Sequence, residues 1–170
     1  SPTNTAVYFV GPDNQRHAFP NEKIYRSWFS DFSKVEVISE FEMTLYTLGK
    51  NVRYRSGSRL IKIPSVPEVY AVEPWGVLRN IPDEQAAIDL YGANWSKFVD
   101  DIDISFFFDY TIGGVMDSID NRAIFPSGTF VNYDSQNYLI DKRSDGIFLM
   151  RPLTAYGFEA GNYEELQRFI

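Results

Sequence analysis

His17 is the only histidine in the chain, and there is no cysteine. A nucleophilic triad needs a serine or cysteine beside a histidine and an acid, so this one imidazole would have to serve. It falls in "RHAF", which reads as a strand leaving a turn, and support of that turn is the simpler role for it than general base. No G-x-S-x-G, H-E-x-x-H, Walker or dinucleotide-binding glycine pattern occurs. Acids are more plentiful. "VDDIDIS" sets Asp100, Asp101 and Asp103 close together, and clustered carboxylate oxygens can hold Ca²⁺. The spacing of an EF-hand loop is not met, so these are weak calcium candidates, with a solvated acidic turn as the plainer reading. Two carboxylates could also hydrolyse a glycosidic bond, but an acidic chain offers many such pairs and none stands out.

Binding chemistry has better candidates. "VRYRSGSRLIK" carries Arg53, Arg55, Arg59 and Lys62 around Tyr54. Strand alternation sets Arg53 and Arg55 on one face. Basic residues interleaved with an aromatic suit a nucleic-acid groove, but the net charge of −7 opposes that partner. Pairing with acidic segments of a neighbouring unit is the preferred expectation. Trp75 lies in "EPWG" at a turn. There it can stack on a sugar ring or fold back onto the next module. Arg53, Tyr54, Arg55 and Trp75 form the candidate binding set. Trp28 and Trp95 read as core.

The elements that hold these residues follow from composition and repetition. With 170 residues the chain makes one domain or two small ones. At 44% hydrophobic and 23% charged it is ordinary globular material, and an aromatic share of 16% favours strands. The absence of cysteine rules out disulfides and thiolate metal sites. No apolar run approaches a membrane span.

"VYFVGPDNQRHAFPNE" at Val7–Glu22 is answered by "VYAVEPWGVLRNIPDE" at Val69–Glu84, 62 positions later. The offset drifts to 63 at "SKV" and "SKF", and to 64 at "YTLG" and "YTIG", as short loop insertions would produce. "SGSRLIK" at Ser56–Lys62 resembles "SGTFVN" at Ser127–Asn132, and "NYLI" at Asn137–Ile140 answers "VYAV". The expected organisation is therefore a tandem array: unit 1 over 1–65, unit 2 over 66–126 and a partial unit 3 over 127–170.

Within a unit, "AVYFV" and "RHAF" predict a hairpin around "PDN". "PNEKIYRSWF" and "PDEQAAIDLYG" each predict a helix start. "KVEVIS" predicts a strand and "SEFE" a capping box. The fold class is α+β, strand-dominated, built from tandem units of β-hairpin, short helix and further strand packed into one compact body.

The line "VYxV…G…(F/I)P(N/D)E…YT(L/I)G…SG" resembles a repeat module of secreted and cell-surface bacterial proteins. Its motifs are turns, caps and core aromatics, and no catalytic residues come with it. The resemblance implies a non-catalytic, extracellular or cell-surface module acting as scaffold or protein-interaction surface. Its partner would be a protein or a cell-surface glycan, with no nucleic acid and no cofactor beyond the possible calcium. A carbohydrate- or cell-wall-binding module is the alternative, and a carboxylate-based hydrolase a more distant one.

Overall fold

The computed structural model describes residues 1–153. Strands dominate a mixed α+β architecture, as expected. Contacts divide it into two compact units, Ser1–Tyr54 and a second that begins at Arg55. The repeat boundary drawn after residue 65 thus differs from the compact division, because the strand at Leu60–Lys62 pairs forward into the second unit. The part of unit 3 beyond residue 153 lies outside the described residues.

In the first unit β1 (Tyr8–Val10) and β2 (Gln15–Ala18) form an antiparallel hairpin, with Tyr8 opposite Ala18 and Phe9 opposite His17. The turn closes by a bond from Gly11 N–H to the Gln15 carbonyl at 2.9 Å, with Asn14 at φ 60°. Asparagine tolerates that left-handed conformation better than most residues. Helix α1 (Glu22–Trp28) follows. Asn21 caps it by accepting the Ile24 N–H at 2.9 Å, and its inner face buries Ile24, Tyr25 and Trp28. Helix α2 (Glu40–Thr44) opens on the predicted capping box, in which Ser39 and Glu42 bond reciprocally. Strand β3 (Thr47–Leu48) runs parallel to β2 and completes a sheet of order β1-β2-β3. The strand predicted in "KVEVIS" does not form: residues 34–38 carry no ladder. A strand needs a hydrogen-bonded neighbour, and among the described residues none pairs with this segment.

The second unit also holds a hairpin followed by a helix and a parallel strand, with further strands. Its strands are β4 (Leu60–Lys62), β5 (Tyr70–Glu73), β6 (Val77–Asn80), β7 (Val99–Asp101) and β8 (Thr111–Val115), in the order β7-β4-β5-β6-β8. The β5–β6 hairpin sets Tyr70 opposite Asn80 and Ala71 opposite Arg79, the register of the first hairpin displaced by 62 positions. Helix α3 (Glu84–Tyr91) is capped by Asp83, which accepts the Ala86 N–H at 2.8 Å. Helix α4 (Ile104–Phe107) is capped by Asp103. Strand β8 runs parallel to β6, as β3 does to β2. Leu60, Ala71, Ile81, Ala86, Ala87 and Met116 make the core, with Trp95 half-buried against it. Ile61 and Val72 are fully buried too, so the centre of this sheet is dry on both faces.

A two-stranded ribbon, β9 (Ser118–Ile119) and β10 (Arg122–Ala123), leads to a sheet of β11 (Phe130–Tyr133), β12 (Gln136–Lys142) and β13 (Phe148–Pro152). Two Ser-Gly turns meet in this unit. Gly57 at φ 66° donates its N–H to the Val72 carbonyl at 2.8 Å, and Gly128 at φ 91° donates to the Ile140 carbonyl at 2.8 Å. A methyl added to Gly57 would come within 2.3 Å of the Thr129 Cα, and one on Gly128 within 2.4 Å of the Ser56 Cβ. Only glycine fits these positions, for conformation and for space.

Candidate functional site: an aromatic groove beside the first hairpin

The first unit holds a groove of about 580 Å³ between β1 and the unpaired segment 34–38. Its lining includes Val7–Val10, Lys34–Ile38, Phe19, Tyr25, Phe29, Phe32, Met43 and Tyr46. The rings interlock. Tyr25 and Phe32 stack with centroids 4.4 Å apart, and Phe19 meets Tyr25 edge-on at 5.1 Å. Tyr25 is fixed by donating its hydroxyl to the Asp31 carbonyl at 2.8 Å, and the Arg26 guanidinium lies 5.1 Å over Phe32. The Asp31 carboxylate is held below its usual range, first by the Ser33 hydroxyl. The lining is mostly apolar with few charges, which suits binding by shape and burial.

The second unit has a smaller groove of about 390 Å³ at the corresponding place, lined by Pro67–Val69, Asn80–Glu84, Ala87 and Trp95. Val69, Ile81, Ala87 and Trp95 stand where the first groove has Val7, Phe19, Tyr25 and Phe32. Residues corresponding to the rest of the first groove's walls do not line the second one. Those positions, Tyr70–Val72 and Lys97–Asp101, include residues of β5 and β7, which pair with β4 from its two sides.

The residues singled out from sequence are dispersed. Trp75 is 62% exposed and adopts φ 66°, inside a turn shared with Gly76, so it does not fold back into a core. Tyr54 is a correction to the binding set: it is 2% exposed and offers no ligand a surface. Burial alternates through this stretch, with Val52, Tyr54 and Ser56 inside, which leaves Arg53 and Arg55 half-buried. Arg55 places its guanidinium 4.5 Å over the Phe130 ring, and the Arg53 carbonyl accepts the Trp28 indole N–H at 2.8 Å. The basic residues that follow meet acids, as expected. Arg59 grips Asp100 through two bonds, 2.9 and 3.1 Å, and Lys62 lies 3.9 Å from Asp101.

The three calcium candidates each have another partner. Asp100 is buried on Arg59, Asp101 faces Lys62, and Asp103 caps α4 with its carboxylate held low by Ser105. Among the described residues no three His, Asp or Glu side chains gather as a metal site. His17 is buried in the first hairpin. Its Nδ1 lies 2.8 Å from the Lys50 carbonyl and its Nε2 3.2 Å from Asp13, so the ring ties the turn to a later segment. Arg79 takes the corresponding place in the second hairpin, donating to the Gly113 carbonyl at 2.5 Å and pairing with Asp117 at 2.9 Å.

One group had no signal in sequence. Glu73 is pushed up from the ordinary carboxylate range by burial, against the pull of Arg79. It lies 3.7 Å from Arg79, which also holds Asp117, itself 2.5 Å from Lys142. Glu73 and Asp117 line neither groove. Glu73 meets Arg79 within one hairpin, whereas Asp117 meets Arg79 and Lys142 from far along the chain, which spacing does not reveal. No protein-family model, curated protein or solved structure matches the chain.

Proposed function

We propose that the chain is a tandem array of one non-catalytic module from a secreted or cell-surface bacterial protein, acting as a scaffold and protein-interaction surface. The observation that carries this reading is the recurrence of one hairpin register, one helix cap and one parallel third strand at a near-constant offset. The groove beside each hairpin is lined differently: Tyr25 and Phe32 in one, Ala87 and Trp95 in the other. Constant framework with varied lining is how duplicated modules diversify contacts. No helix among the described residues is long and apolar enough to cross a membrane.

The exposed Trp75 on its turn favours one second reading, a carbohydrate- or cell-wall-binding module, because an accessible indole can stack on a sugar ring. A single screen separates the two. The purified chain is titrated against bacterial envelope fractions and a polysaccharide panel, with and without Ca²⁺. The protein-interaction reading expects saturable binding that protease treatment of the fraction abolishes and soluble glycans leave intact. Binding that resists protease and is lost with Trp75→Ala supports the glycan reading instead. Hydrolysis of any panel member overturns the non-catalytic assignment.

A further inference from the structure

The groove of the second unit differs from the first in charge as well as in size. Its lining carries three carboxylates, on Glu68, Asp83 and Glu84, and no lysine or arginine. The lining of the first groove has Lys34 as well as Glu36. All three acids of the second groove are exposed. The side chains of Glu68 and Glu84 have no ion-pair or hydrogen-bond partner among the described residues, and Asp83 uses Oδ1 to accept the Ala86 N–H at 2.8 Å. A bare helix N-terminus repels a cation. Here Asp83 caps α3 and Glu84 adds a second acid to its first turn, so the mouth of the groove is negative.

Inside this rim the groove is apolar. Ile81 and Ala87 are buried and Val69 is half-buried. Trp95 lines the groove while packing against the core, and among the described residues its indole meets no other ring. These are the parts that a guanidinium on an aliphatic stem requires. The planar cation stacks on an indole, its fork of N–H donors pairs with carboxylates, and its methylenes lie along apolar surface. An ammonium brings the charge without the plane or the fork. A neutral sugar would use the indole and leave the carboxylates without a counter-charge. The volume of about 390 Å³ is at the small end for ligand sites, which suits one side chain of a partner.

From this arrangement we infer that the second groove receives an arginine side chain from a basic segment of a partner protein. The guanidinium stacks on Trp95 and pairs with Glu68 and Glu84, while its stem covers Val69 and Ile81. The net charge of −7 on the chain draws such a segment toward it. The inference rests on the protein-interaction reading and gives the chemistry of the partner.

The test is an NMR titration of the intact chain with the acetylated and amidated peptide GSRSG, read at the Trp95 indole and the Ala87 amide. A second peptide carries citrulline in place of arginine, which keeps the shape and removes the charge. The chain variant combines Glu68→Gln with Glu84→Gln, both at exposed positions, and its fold is checked by circular dichroism. Chitohexaose serves as the glycan probe. The expected result is saturable shifts with a Kd of about 1 mM or tighter, at least about tenfold weaker for the citrulline peptide and for the double variant. Added salt should weaken binding, and chitohexaose should leave these resonances unmoved. No saturation up to about 10 mM overturns the inference. So does equal affinity for the citrulline peptide, binding indifferent to the double variant, or movement of the same resonances by chitohexaose. The envelope screen keeps the two readings apart. Protease-sensitive envelope binding that the double variant retains in full overturns the inference and leaves the interaction reading standing. Peptide binding as expected with no envelope binding overturns the interaction reading alone.

Discussion

The first and second hairpins are built alike and finished differently. In both, a valine-tyrosine strand turns through a proline-containing loop, returns in the same register and passes into a helix capped by Asn21 or Asp83. What differs is the surroundings. Strand β5 is paired on both edges, and among the described residues β1 is paired on one. The turn of the first hairpin is tied down by His17 and Asp13, while that of the second projects Trp75 and hands the cross-link to Arg79. The comparison separates what the two hairpins must share from what they need not. Backbone groups at helix ends and in ladders must be satisfied, so caps and register recur. Side chains that line the groove face no such demand, and they vary.

Several substitutions sharpen or break this comparison. The largest effect is expected at the facing Ser-Gly turns. Gly128→Ala combines a left-handed backbone with a methyl 2.4 Å from Ser56 and should cost about 3 kcal/mol in urea denaturation. An unchanged midpoint would mean the turns are not packed as described. Next come the helix caps. Asn21→Ala and Asp83→Ala should each cost about 1 kcal/mol, and near-equal losses in thermal melts are the signature of equivalent caps. A loss at one and none at the other would break the equivalence of the two hairpins.

The turns should respond with opposite signs. Trp75→Gly relieves a side chain from φ 66° and should stabilise by about 1 kcal/mol. Asp13→Gly removes the bond from the Gln15 N–H and the contact with His17, and should destabilise.

The smallest effect concerns Glu73. Its carboxyl is raised above the ordinary 4.5 by burial, so the folded chain binds this proton more tightly than the unfolded chain. That contribution is fully present below pH 4.5 and is lost as pH rises through the raised value. Denaturation measured against pH should show a decline across this window that Glu73→Gln lacks. For Asp13, whose carboxylate is held low first by the Gln15 N–H, the sign reverses. Its contribution is present above 3.8 and lost as pH falls.

Much of the framework was legible in sequence because it is local. Alternation in "AVYFV", the "PDN" turn, the Asn21 and Asp83 caps and the Ser39–Glu42 box each require residues only a few positions apart. The failures were non-local. "KVEVIS" alternates like a strand, yet Val35–Val37 has no neighbour to pair with among the described residues. The exposure of Trp75 and the burial of Tyr54 depend on which elements cover them. In sequence Asp100 reads as part of an acidic cluster, but Arg59, 41 residues away, holds its carboxylate. The groove itself has no motif, since it consists of the space beside a strand edge.

Residue-resolved amide hydrogen exchange on the chain alone tests the central claim most directly, that the two hairpins share one register and, among the described residues, differ in the pairing of their outer edge. The account predicts slow exchange at Tyr70, Ala71 and Val72, and at Phe9, with fast exchange at Tyr8 and Val10. Protection of Tyr8 and Val10 equal to that of Tyr70 and Val72 would contradict it.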